Sequence, residues 1–115
     1  MKEITLTKSF EIQNQSYELI IVSLENAVSL FLYENTPKFG TFGLSVPATE
    51  FMPASTLYIT GQKNEQYVRM IGERLATKIK KLVLVSLNIQ DITNEILLTI
   101  FENIEKELLS TNENK

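Results

Sequence analysis

The chain has 115 residues, a formal charge of −3, and neither cysteine nor histidine. That length builds one domain rather than two, and the missing residue types exclude disulfides, thiolate nucleophiles, zinc–thiolate centres and imidazole acid–base chemistry. The acidic balance argues against broad nucleic-acid binding, which needs a concentrated basic surface.

Residues 3–13 alternate. Ile4, Leu6, Phe10 and Ile12 share one face, interrupted by Lys8, and Glu3, Thr5, Thr7, Ser9, Glu11 and Gln13 share the other. The pattern predicts a strand with one wet face near a sheet edge. Asn14-Gln15 is the expected tight connection. Residues 16–24 and 28–33 predict a second and a third strand, both carrying apolar residues on both faces. Pro37 and Gly40 mark a loop. Phe42, Leu44 and Val46 alternate in a fourth strand that Pro47 ends, with Phe42 expected in the core. A loop with Phe51-Met52-Pro53 leads to a short fifth strand at 56–60, broken by Gly61.

The helical period begins after Asn64, a predicted N-cap. Tyr67, Ile71, Leu75 and Ile79 recur every fourth residue, with Val68, Gly72 and Ala76 beside them, while Arg69, Glu73, Lys78 and Lys80 take the wet side. Leu82-Val83-Leu84-Val85-Ser86-Leu87-Asn88-Ile89 is too short and too β-branched for a second helix and predicts a sixth strand buried on both faces. Asp91 or Thr93 caps a last helix that buries Ile96, Leu97, Ile100, Phe101, Ile104 and Leu108. Residues 1–110 form one domain, and 111–115 read as a frayed polar tail. No apolar run approaches the ~20 residues that span a bilayer, and the first residues lack the apolar stretch of a signal peptide. The expectation is a cytoplasmic or nuclear protein with no membrane partner.

The expected fold is therefore α+β, a six-stranded mainly antiparallel sheet in the order βββββαβα, with both helices in the C-terminal half. Two helices do not readily cover both faces of a sheet whose central strands are apolar on each side. Either one helix lies on each face, or both lie on one face and the other is bare. The second arrangement, the one expected here, predicts a partner chain packed against the bare face.

Residues 27–90 carry a family resemblance. Val28-Ser29-Leu30-Phe31-Leu32-Tyr33, Gly43-Leu44-Ser45-Val46, Gly72-Glu73-Arg74-Leu75-Ala76-Thr77-Lys78-Ile79-Lys80-Lys81 and Val83-Leu84-Val85-Ser86-Leu87-Asn88-Ile89-Gln90 together resemble the proteasome assembly chaperone 4 family. The last helix, with Glu102-Asn103-Ile104-Glu105-Lys106-Glu107, matches in character. The resemblance implies two helices on one face of an antiparallel sheet and a heterodimer with a chaperone 3-like partner. It also implies a role in ordering α-type proteasome subunits into a ring. It brings no catalytic residue, no cofactor and no metal.

Several residues carry two readings each. Lys78, Lys80 and Lys81 either favour a helix C-terminus through its dipole or form a docking patch. Ser86 and Asn88, polar within an apolar strand, either bond to adjacent loop backbone or set register in a dimer face. Arg74 and Lys78 either lie on a solvated helix face or dock on an acidic partner. Phe51 and Met52 either fold back on the sheet or anchor a partner. With Phe31 and Tyr33, these make the candidate partner contacts Phe51, Met52, Arg74, Lys78, Phe31, Tyr33, Ser86 and Asn88. The function expected is a non-enzymatic assembly chaperone, with a homodimer as one state of the isolated chain. The alternative is a small dimeric adaptor of the roadblock or longin type in trafficking or signalling, although three strands before any helix count against it.

Overall fold

The computed structural model describes residues 5–61 and 63–113. Eight elements follow one another: β1 (Thr5–Ile12), β2 (Gln15–Ser23), β3 (Ala27–Glu34), β4 (Thr41–Val46), β5 (Ser55–Thr60), α1 (Glu65–Ile79), β6 (Leu82–Asn88) and α2 (Asn94–Glu113). This is the predicted βββββαβα order. The tail expected at 111–115 falls on the last turn of α2 and on residues outside the described ones, as do Glu3 and Ile4 of the first predicted strand.

The strands form one sheet in the order β1-β2-β3-β6-β4-β5. Every pairing is antiparallel except β3 with β6, which is parallel. A parallel pair needs a long crossover, and the chain supplies it by making β4, β5 and α1 before returning as β6. The β1–β2 turn is Gln13-Asn14, one residue earlier than expected. Ile12 pairs with Gln15, and Gln13 and Asn14 both have positive φ (52° and 69°). That is the left-handed geometry of a two-residue hairpin matched to strand twist.

Register decides which side chains share a face. Leu19 lies opposite Leu32 and Leu32 beside Leu87; Ile21, Leu30 and Val85 form the next row; Val28 and Val83 the next. All are buried. Gly43 and Ser45 of β4 continue these rows through Val85 and Val83. A Cβ on Gly43 would lie 2.5 Å from Val68 Cγ1, and one on Gly72 would strike the Ser45 hydroxyl, so α1 lies closely against this face. Lys8 is on the same face, opposite Leu19, and its Nζ lies 2.8 Å from Glu107 of α2. Both helices therefore cover one face. Lys8, which broke the alternation of β1, is the point where α2 reaches over that edge.

The Ser45 hydroxyl lies 3.0 Å from the Thr56 hydroxyl, which donates to Glu73 Oε2 at 2.6 Å. Thr56 has a single hydroxyl proton, so Ser45 donates to Thr56. Glu73, expected on the wet side, instead ties α1 to β4 and β5 while half-buried. Asn64 is not the predicted side-chain cap. It sits in the left-handed region (φ 63°), and its amide donates to the Ile89 carbonyl at 2.8 Å, fastening the start of α1 to the end of β6. At α2 the cap is Thr93, whose hydroxyl accepts from the Ile96 N–H at 3.2 Å. Thr93→Ala should cost about 1 kcal/mol in a urea unfolding experiment. A loss below a few tenths would mean that this end of α2 is held by packing alone.

Candidate protein-interaction face

With α1 and α2 on one side, the other side of the sheet carries no described element. Ile20, Phe31, Ser86 and Phe42 form one row across β2, β3, β6 and β4, and Val22, Ser29, Leu84, Leu44 and Tyr58 form the next, reaching β5. Ile20, Val22, Phe31, Leu84, Phe42 and Leu44 are half-buried, and Tyr58 is exposed. These strands are apolar on both sides because one side meets the helices and the other forms this band. At β1 the face turns polar, with Thr5, Thr7, Ser9 and Glu11 all exposed. A contiguous apolar band with a polar margin is the usual composition of a protein-binding surface.

Phe42 thus corrects an expectation. It belongs to this face rather than to the core, and its ring stacks on Phe39 with centroids 5.6 Å apart. Sequence reading also passed over Ile20, Leu84, Leu44 and Tyr58 as contact residues. The available clue was the double-sided apolar pattern, which becomes a map only once strand order gives each residue its neighbours.

The eight candidate contacts fall in three places. Phe31, Tyr33, Ser86 and Asn88 share the open face, by register across β3 and β6. Phe31 is half-buried at its centre. Tyr33 is buried, and its hydroxyl donates to Glu18 Oε1 at 2.9 Å. That bond raises the phenol's pKa above its ordinary value, with desolvation acting in the same direction. Ser86 is also buried, its hydroxyl accepting from the Gly40 N–H at 2.9 Å. Gly40 is required there, because a Cβ would strike the Leu87 carbonyl oxygen. Ser86 thereby holds the β3–β4 loop over one end of the face. Asn88, half-buried, lies next to Tyr33 at the same end.

Phe51 and Met52 stand in the β4–β5 loop, 88% and 60% exposed. They do not fold back on the sheet. Thr49 Oγ1 accepts from both of their N–H groups (3.2 and 3.1 Å), and Thr49 N–H donates to the Met52 carbonyl at 2.7 Å. The turn is thus internally bonded and holds both side chains outward.

Arg74 and Lys78 lie on the helix layer, away from the open face. Arg74 donates to both oxygens of Glu105 (2.7 and 3.4 Å) and stacks its guanidinium 4.5 Å above the Phe101 ring. Lys78 Nζ is 3.6 Å from the same carboxylate. The hydrogen bond to Glu105 raises the Arg74 pKa further, against a smaller opposing effect of desolvation. Together these groups clamp α1 to α2. Lys81, in turn, donates to the Leu24 carbonyl at 3.3 Å. Among the described residues no helix is long and apolar enough to cross a membrane.

No protein-family profile matches the chain. No curated protein matches it in sequence. Among solved structures, it is similar to a chain from a chaperone complex for yeast 20S proteasome assembly, with a TM-score of 0.59 over 96% of this chain and 94% of that one. Sequence identity between the two is 13%, so what they share is the fold along nearly their whole lengths.

Proposed function

We propose that this chain is a non-enzymatic chaperone of 20S proteasome assembly, of the chaperone 4 type. It pairs with a chaperone 3-like partner, and the dimer orders α-type subunits into a ring. The observation that supports this most is the uncovered apolar sheet face, running from Ile20 to Tyr58 opposite two helices. A second sheet laid on it would bury on the order of 1,200–2,000 Å² in total, the size of a stable specific interface. The fold shared with a chain of a proteasome-assembly chaperone complex supports the choice of assembly.

In this reading the mechanism is differential binding. The dimer stabilises a partial ring and loses affinity once later subunits claim the same surface, so it is absent from the mature particle. The outward turn at Phe51 and Met52 is the second contact, reaching an α-type subunit while the face holds the partner chaperone. The working compartment is the cytoplasm or nucleus, with neither nucleic acid nor membrane as a ligand. The roadblock or longin adaptor reading fits less well, because five strands precede the first helix.

The test is affinity purification of the tagged chain from its own cell lysate, read by mass spectrometry. A second small chaperone should appear with α-type subunits and few late β-type subunits. Membrane-traffic or GTPase components without any proteasome subunit would overturn the proposal in favour of the adaptor.

A further inference from the structure

The two edges of the sheet differ in chemistry. β1 is blunted as exposed edges normally are. It carries Lys8 on its helix-side face, held to Glu107, and Glu11 and three hydroxyl residues on its other face. A charge on an edge strand discourages a further strand from pairing, because that strand would have to bury it. β5 carries no such charge, and its protection is limited to the register shift that leaves Leu57 unpaired. No charged residue occurs between Glu50 and Lys63, and the strand itself reads Ser-Thr-Leu-Tyr-Ile-Thr. Among the described residues nothing pairs with its outer side. Leu57 and Tyr58 are 67% and 56% exposed there.

The apolar side chains lie on both sides of this edge. Tyr58, opposite Leu44, is on the open face. Register shifts between Leu44 and Ser45, leaving Leu57 unpaired beside Thr56, whose hydroxyl points to α1 through Glu73. A lone exposed apolar residue needs no explanation, but an uncharged, β-prone edge exposed on both sides is either an aggregation hazard or a strand acceptor.

We propose that the β5 edge accepts an extended, uncharged peptide segment of a partner protein, about six residues long, as a seventh strand. Alternate side chains of that segment would lie beside Tyr58 on one face and Leu57 on the other. The lack of charge selects the occupant: an acidic or basic segment would find no counter-ion on β5, whereas an apolar or hydroxyl-bearing one would satisfy both the free ladder and the flanking side chains. The edge shares Tyr58 with the margin of the open face, but its backbone ladder is separate from that face.

The test uses the full chain and a fluorescein-labelled eight-residue peptide of alternating threonine and valine, followed by anisotropy. Two N-methylated versions accompany it, one blocking the amides along a single edge of the peptide and one blocking both edges. Saturable one-to-one binding is expected, weakened at least tenfold by Leu57→Lys and by Tyr58→Lys. Only the version with one edge free should bind, because a ladder uses one edge of the added strand and the peptide can turn that edge to β5. Both side chains are exposed, so neither variant should unfold the chain; circular dichroism checks this. Equal binding of both N-methylated peptides, or no binding at millimolar peptide, would overturn the proposal. So would sedimentation showing a dimer that Leu57→Lys dissolves, which would give the edge to a second copy of this chain.

Discussion

Replacing Leu30 with alanine should lower the unfolding free energy by about 3–4 kcal/mol, the range expected when a fully enclosed leucine leaves a cavity that its neighbours cannot fill. Leu30 is 0% exposed, in the row it shares with Ile21 and Val85 beneath the helices. Strands flank it on both sides, so the backbone has little freedom to collapse into the space. Urea unfolding followed by far-UV circular dichroism measures the change. A loss under about 1 kcal/mol would mean that this row is not the centre of the core.

The next residue gives a different result. Phe31→Asp should cost the isolated chain about 2 kcal/mol, from the loss of a half-buried ring and the poor strand propensity of aspartate, still less than Leu30→Ala. It should nevertheless weaken binding of the proposed chaperone 3-like partner at least a hundredfold, about 2.7 kcal/mol, by placing a charge at the centre of the proposed interface. Leu84→Asp, one row away on β6, should behave alike. Calorimetric titration of the partner into each variant reads the affinity. Undiminished binding by both variants would remove the open face as the partner site and leave only the loop and edge. Two neighbouring residues thus separate folding from recognition, because a strand sends successive side chains to opposite faces.

That alternation made much of the fold legible before any coordinates. The periods of two and four residues gave the order of the eight elements, and the strands apolar on both sides implied a face left uncovered. What stayed hidden depends on contacts distant in sequence. Arg74 read as one member of a wet helix face, yet its partner Glu105 belongs to the other helix. Lys8 looked like a flaw in an alternating strand until Glu107 was placed beside it. Asn64 has the composition of a cap, but its backbone is left-handed, its side-chain NH2 donates to the Ile89 carbonyl at the end of β6, and its side chain makes no cap bond to the helix. Periodicity places Phe42 in the core because it cannot tell a face covered by helices from one left open. The clustering of Phe31, Tyr33, Ser86 and Asn88 required strand order, which no local pattern encodes.

The parallel pairing of β3 with β6 has a consequence for how the chain is made. In the finished sheet β6 lies between β3 and β4, yet it is synthesised after both. Until residue 88 has emerged from the ribosome, the β1–β3 meander and the β4–β5 hairpin are two separate sheets. Each then shows a raw inner margin of unpaired, apolar strand. Closing them requires one late insertion across a long loop, a slow step compared with hairpin formation. The nascent chain is therefore most vulnerable to mispairing in the interval before β6 arrives, and a stop shortly before Leu82 should yield insoluble fragments rather than a smaller folded protein.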